Sequence, residues 1–195
     1  KINATVEQGY YETSMTMGVN AWGVDTPVLL NTIPILLAEV DITALDANVE
    51  FDSSLITSTY DKYLITFDGL TGVNATNGRD LLVSFAGVFS TAGIYTYDTI
   101  GGGTSIAQSS LLIELPISNT INQVTSGEIL FIKSIIASTV PVLTYEGFAG
   151  SSLDKVSGGG TINNAAEVDG IRLTPDGVGS PSFTTGTFKL FGLLE

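Results

Sequence analysis

Short runs rich in Val, Ile, Leu, Phe, Tyr and Thr dominate the chain from about residue 43 onward, and clusters of Gly, Asn, Asp and Ser separate them. That punctuation predicts strands and turns. The predicted strands are Lys62–Phe67, Asp80–Phe89, Ile94–Thr99, Ser110–Leu115, Ile129–Ile136, Val142–Phe148, Gly170–Leu173 and Thr187–Leu193, with an edge strand over Thr43–Phe51. Connections are expected at Thr71–Gly78, Gly101-Gly102-Gly103, Ser118–Gly127, Ser151–Gly160 and Pro175–Pro181. Helical segments alternating with strands, which an α/β fold requires, are not seen. The expectation is an all-β fold: a jelly-roll-like antiparallel β-sandwich of about eight or nine strands with an N-terminal extension.

Several of these strands carry apolar residues on both faces. Alternate side chains of a strand point to opposite sides, and a sheet with one wet face alternates apolar with polar. In the run from Glu128, Leu130, Ile132 and Ile136 share one face, while Ile129 and Phe131 share the other with Lys133. In Thr187–Leu193, Phe188 and Leu190 share one face, and Phe191 and Leu193 lie opposite with Lys189. Leaving such residues in water creates a sticky patch. Phe188, Leu190, Phe191 and Leu193 are therefore read as packing or oligomer residues, and the second face is expected to be covered by the N-terminal segment or by another subunit.

The chain is divided into an N-terminal arm or anchoring segment, residues 1–42, and a β-sandwich domain, residues 43–195. The first part holds Tyr10, Tyr11, Met15, Met17 and Trp22. It reads either as an arm that docks on a neighbouring subunit or as an ordinary start of the same domain. Leu36–Leu45 fits one or two helical turns, and fits an extended segment almost as well.

Composition narrows the function. The chain has 195 residues, 44% hydrophobic and 14% charged, with 20 acidic against 7 basic residues and a net charge of −13. Binding to phosphate needs Lys and Arg to displace counterions, so nucleic acid is not an expected partner. Anionic membrane surfaces are disfavoured for the same reason. The most apolar window, residues 27–42, contains Asn31, Pro34, Glu39 and Asp41 and makes a poor membrane span. There is no cysteine and no histidine. Disulfides, thiolate metal sites and the commonest general base are thereby removed. No cofactor or metal is expected.

Carboxylates are the only plentiful reactive groups, and Asp61, Asp68, Asp98, Asp169 and Asp176 fall near predicted strand ends. Two of them about 5–10 Å apart could cut a glycosidic bond, but no spacing selects a pair, and turn Asp residues ordinarily cap the local backbone. Asp-Gly at Asp68, Asp169 and Asp176 lacks the ligand array of a calcium loop. Gly101–Gly103 and Gly158–Gly160 lack the following Gly-Lys-Ser/Thr of a phosphate loop and read as hairpin tips. Tyr95 and Tyr97 are two residues apart, hence on one face, and with Trp22 they are the candidates for stacking a sugar. A non-enzymatic role is the expectation, with a carbohydrate-binding module and a carboxylate-based depolymerase as the other readings.

The segment Thr59-Tyr-Asp-Lys-Tyr-Leu-Ile-Thr-Phe-Asp-Gly-Leu70, followed by Asp80-Leu-Leu-Val-Ser-Phe85 and the Gly87–Tyr97 stretch, resembles a pattern of tailed-bacteriophage virion structural proteins. The ending Phe183-Thr-Thr-Gly-Thr-Phe-Lys-Leu-Phe-Gly192 looks like the closing strand of the same domains. The resemblance covers residues 45–195 and includes no catalytic residue. It implies a β-sandwich virion protein, commonly a homotrimer, placed in the tail fibre or tail tip, or at the capsid surface as a decoration or head-fibre protein. It also implies assembly in the host cytoplasm, attachment to other virion proteins through the N-terminal segment, and host-surface glycan or protein as a further partner.

Overall fold

The structure, a computed structural model, describes residues 4–7, 10–13, 33–99, 103–108, 110–113, 125–133, 140–149, 154–164 and 166–194. The chain divides into two compact units, Lys1–Asn31 with Glu195, and Thr32–Leu194. The first contains β1 (Ala4–Glu7) and β2 (Tyr10–Thr13), paired antiparallel with Ala4 opposite Thr13 and Glu7 opposite Tyr10. The second holds β3 (Pro34–Ile42), β4 (Val49–Phe51), β5 (Lys62–Phe85), β6 (Val88–Phe89), β7 (Tyr95–Thr99), β8 (Gly103–Gln108), β9 (Leu111–Ile113), β10 (Thr125–Ile132), β11 (Val142–Ala149), β12 (Asp154–Ile162) and β13 (Gly170–Leu193). Among the described residues there is no helix, so the protein is all-β. Nor, therefore, is there a helix long and apolar enough to cross a membrane.

The second unit is organised on one ribbon. β5 and β13, of 24 residues each, pair antiparallel from Lys62 opposite Leu193 to Ser84 opposite Gly170. A straight strand of that length would reach about 80 Å at ~3.3 Å per residue. A domain of this size has a radius of gyration of only about 15 Å, so the ribbon has to bend and serve two layers. Its first half carries β10 beside β5 and β3 beside β13. Its second half carries β9 and β6 beside β5 and β4 beside β13. From the first half the sheet continues β10-β11-β12-β7-β8.

Both halves bury their inner faces in one cluster. Tyr63, Ile65, Phe67, Ile129, Phe131, Leu143, Phe188 and Leu190 come from one layer, and Val49, Phe51, Leu81, Val83, Ile171 and Leu173 from the other. Phe183 and Phe188 meet edge to face at 5.3 Å between ring centres. Tyr95 closes the sandwich. It belongs to β7, four strands along the sheet from β5, yet its hydroxyl accepts a hydrogen bond from the Val83 N–H at 3.1 Å and donates to the Ser90 carbonyl at 2.9 Å. The sheet thus wraps far enough for its distal strands to meet the second half of β5.

The bend lies where backbone torsions allow it. Gly69 has φ 65° and Gly186 has φ 122°. A Cβ on Gly186 would collide with the Leu70 side chain and lie 2.9 Å from the Asp68 carbonyl oxygen. The Thr71 hydroxyl is hydrogen-bonded to those of Thr184 at 2.5 Å and Thr185 at 2.8 Å, and the Thr185 hydroxyl donates to the Gly69 carbonyl at 3.1 Å. Three threonines therefore brace the corner across the ribbon.

Several expected connections are strand instead. Thr71–Gly78 and Pro175–Pro181 lie within β5 and β13. Pro175 and Pro181 are tolerated because the register slips between Pro175 and Gly177 and again before Ser182, and bulges and free edges accept the missing N–H. Of the two readings of Leu36–Leu45, the extended one holds over its first part: Pro34–Ile42 is a strand bonded to β13. The compact unit accordingly begins at Thr32, upstream of the residue-43 boundary. Gly158–Gly160 is no hairpin tip: it lies inside β12, between β11 and β7. Asp80–Phe89 is interrupted by a tight turn at Ala86-Gly87, whose φ values of 51° and 76° suit a two-residue hairpin. Of the expected Thr43–Phe51 edge strand only Val49–Phe51 is strand.

Replacing Gly186 by Ala is expected to lower stability by about 2–3 kcal/mol, from forbidden φ plus steric overlap; urea titration measures it. A second expectation concerns alkali. Burial raises the Tyr95 and Tyr63 pKa above the ordinary 10.0. A raised phenol pKa means the folded state keeps protons that the unfolded chain releases. That stability is present below pH 10 and is lost as pH climbs beyond it. Stability should fall above about pH 10, and Tyr95→Phe should flatten that fall while costing about 1–3 kcal/mol at pH 7 for the abandoned Val83 N–H.

Candidate functional site

The large sheet has an outer face whose composition follows from strand register. Leu36 lies opposite Phe191, Phe191 opposite Leu64, Leu64 opposite Leu130, and Leu130 opposite Thr144. These five residues form one row across β3, β13, β5, β10 and β11. The next row contains Pro34, Leu193, Lys62, Ile132 and Val142. None of the apolar members is buried: Leu36 is 50% exposed, Ile132 36% and Val142 37%, and Leu64, Leu130, Phe191 and Leu193 are half-buried. Their chain neighbours Tyr63, Ile65, Ile129, Phe131, Leu143 and Leu190 are buried on the opposite side.

The alternation expected for Thr187–Leu193 is the one observed. Phe188 and Leu190 are fully buried in the core, while Lys189, Phe191 and Leu193 face outward. The Glu128–Lys133 stretch behaves the same way. Lys133, on the inner face with Ile129 and Phe131, is 5% exposed and satisfied there. Its ammonium sits 2.7 Å from a Glu167 carboxylate oxygen and donates to the Thr57 carbonyl at 3.2 Å. Tyr63 also donates to the Thr57 carbonyl, at 2.7 Å.

On the other side of the apolar rows the face turns acidic. The row Glu39, Lys189, Thr66, Glu128, Glu146, Ser157 follows by register, and Asp41, Thr187 and Asp68 lie one row beyond. Lys189 pairs with Glu39 at 3.4 Å. The Thr187 hydroxyl donates to Asp41 at 2.7 Å, and Ser126 donates to Asp68. Glu128 stands directly opposite Glu146, a like-charge placement that disfavours the pair. Beside them is a shallow depression of about 360 Å³ lined by Leu130, Thr144, Ser157 and Gly158 as well as the two glutamates. Next to it in β12, the Cβ that Gly159 lacks would lie 3.0 Å from the Leu143 carbonyl oxygen. The outer face of the second layer differs, since Arg172 pairs with Glu50 at 2.7 Å and its guanidinium covers the Phe89 ring at 3.9 Å.

Of the sugar-stacking candidates, the two tyrosines both pack into the core cluster. Tyr95 is fully buried and has no face to offer a ligand. Tyr97 packs against the core cluster. Trp22 lies outside the described residues, as does the side chain of Asp98. Asp169 binds the Ser84 hydroxyl and the Gly87 N–H at 2.8 Å, so it caps the Ala86-Gly87 turn. Among the described residues no group of three or more acidic side chains is arranged to hold a metal ion. Sequence reasoning missed Pro34 and Leu36 as members of the apolar rows. Their pairing with Leu193 and Phe191 is a tertiary fact, and their only sequence signal was the apolar run Ile33–Ala38.

Two motifs far apart in the chain meet here. Tyr63 is the register partner of Gly192, and a Cβ on Gly192 would lie 2.6 Å from the Tyr60 ring. The Tyr60-Asp-Lys-Tyr63 segment and the closing Lys-Leu-Phe-Gly192 run are thus two sides of one packing contact. No protein-family model matches the chain, and no curated protein matches it.

Replacing Glu128 by Lys should remove the like-charge pair opposite Glu146. A gain of about 0.2–1 kcal/mol at low salt is expected, shrinking as ionic strength rises, by paired urea titrations at the two salt concentrations.

Proposed function

We propose that this chain is a non-enzymatic structural subunit of a virion, of the tail-fibre or tail-tip kind, that assembles as a homo-oligomer through the outer apolar rows of its large sheet. The observation that carries the reading is the continuous row Leu36, Phe191, Leu64, Leu130, half-exposed on the back of a fully formed core. A monomer has no use for such a row, because its fold is already closed on the inner face. Covering a half-exposed Leu or Phe returns about 1 kcal/mol, roughly half the value of full burial. Six to eight such residues supply the apolar core of an ordinary interface. The surrounding carboxylates keep an apolar particle soluble until it assembles. The virion assignment draws on the paired Tyr60–Tyr63 and closing-strand motifs, and capsid decoration is the neighbouring role with the same chemistry.

Sedimentation velocity on the full chain at micromolar concentration should give an oligomer. The double variant Leu64→Asp/Leu130→Asp should sediment as a monomer with an unchanged far-ultraviolet circular dichroism spectrum. A monomeric unmodified protein would sink the assembly reading. Particles that an antibody to this chain fails to decorate in electron micrographs would sink the virion assignment alone.

A further inference from the structure

We propose that Asp68-Gly69 is a self-modification site, which closes to a succinimide and reopens as isoaspartate at the bend of the β5–β13 ribbon. Asp-Gly is the step where this chemistry meets least hindrance, because glycine sets no Cβ beside the attacking nitrogen. The chain has three such steps, at Asp68, Asp169 and Asp176. To react, the peptide plane must turn until its nitrogen faces the aspartate Cγ. Ladder hydrogen bonds and close packing oppose that turn, so the fold decides which step reacts.

Gly69 stands outside both ladders. Leu70 lies opposite Thr125 and Phe67 opposite Gly127, so Asp68 and Gly69 together face Ser126, a β-bulge. Across the ribbon Asp68 lies opposite Thr187 and Thr71 opposite Thr185, which leaves Gly69 and Leu70 against Gly186. Among the described residues Gly69 therefore has no register partner on either side. Hydroxyl groups hold it instead. Its N–H donates to the Ser126 hydroxyl at 3.3 Å, longer than an ordinary N–H···O bond, and its carbonyl accepts from the Thr185 hydroxyl at 3.1 Å. Ser126 also donates to the Asp68 carboxylate. The nitrogen and the carboxylate it attacks thus sit around one oxygen. Asp68 is exposed, so water reaches the site.

Asp169-Gly170 is held in every one of these respects. Gly170 is buried and lies opposite Ser84 in the ladder. A Cβ there would lie 2.5 Å from the Ser84 hydroxyl oxygen, so the backbone has no room to turn. The Asp169 N–H donates to the Ser84 carbonyl, and its carboxylate is occupied by the Ser84 hydroxyl and the Gly87 N–H. Gly177 lies opposite Ala75, and the side chain of Asp176 lies outside the described residues.

The reaction needs only water. The Gly69 nitrogen bonds to the Asp68 Cγ, and a carboxylate oxygen leaves as water with the amide proton and one proton from solvent. Water then adds to one of the two ring carbonyls and breaks its bond to nitrogen. Opening at Cγ restores aspartate. Opening at the original main-chain carbonyl routes the chain through the side chain, which adds one methylene to the backbone and leaves a free α-carboxylate. That insertion falls beside Gly186, where a Cβ would already lie 2.9 Å from the Asp68 carbonyl oxygen.

The folded full-length protein is held for weeks at physiological temperature, then digested, and isoaspartyl peptides are labelled with an isoaspartyl methyltransferase and mapped. Isoaspartate should accumulate at position 68 at least about ten times faster than at position 169, the difference that ladder protection imposes. In urea the two rates should converge, because both steps are flanked by apolar residues, Phe67 and Leu70 in one case and Val168 and Ile171 in the other. Deamidation at Asn77-Gly78 changes the peptide mass and isomerisation does not, so mapping separates them. The isomerised protein, purified by ion exchange, should unfold at a lower urea concentration than the unmodified chain. Equal rates at 68 and 169 in the folded protein would overturn the proposal, as would isoaspartate at position 68 that forms only in urea.

Discussion

The antiparallel pairing of β5 with β13 is the constraint on which the rest of the structure depends. Their 24-residue ribbon joins chain segments about a hundred residues apart, so loop closure has to be met before either layer has a template. Once formed, it presents a free edge to β10, β3, β9 and β4 in turn. The corner near Gly69 and Gly186 then converts one ribbon into two layers, and the Tyr95 hydroxyl ties the far end of the sheet back to Val83. A change at the corner would be felt in both layers, whereas β8, at the end of the sheet, pairs among the described strands with β7 alone.

This architecture explains why the sheet is apolar on both sides. The inner face supplies a single continuous core. The outer face is apolar at one end of its strands and acidic at the other, a division set by register rather than by any one segment. Leu36, Phe191, Leu64 and Leu130 come from four strands spread over most of the chain, and only their alignment makes a surface. The same alignment sets Glu128 against Glu146. Both features are set by register, and the first is the basis of the assembly proposed above.

Where sequence reasoning located strands by composition, it succeeded at Lys62–Phe67, Val142–Phe148 and Thr187–Leu193, because β-branched and aromatic residues between turn formers leave few alternatives. It failed where glycine or proline sat inside a strand. Gly158–Gly160 reads as a loop, yet in β12 the glycines permit close approach of the Leu143 carbonyl. Pro175 and Pro181 read as breakers, yet bulges absorb them. Tyr95 and Tyr97 were placed on one face correctly, but period-2 spacing cannot say which face is inward, and Tyr95 proved to be a core residue with its hydroxyl bonded inside.

The sequence by itself determined the all-β class, the two-sidedness of the strands at Ile129–Lys133 and Phe188–Leu193, and the dominance of carboxylates over every other reactive group. These are local or additive properties, fixed by alternation and composition. Which strand lies beside which, the return of Pro34–Ile42 to the edge of β13, and the gathering of eight apolar positions into rows were decided only by tertiary structure. Register is a relation between segments, set by which pairing buries the most apolar surface while satisfying every backbone hydrogen bond, and no single stretch of sequence contains it.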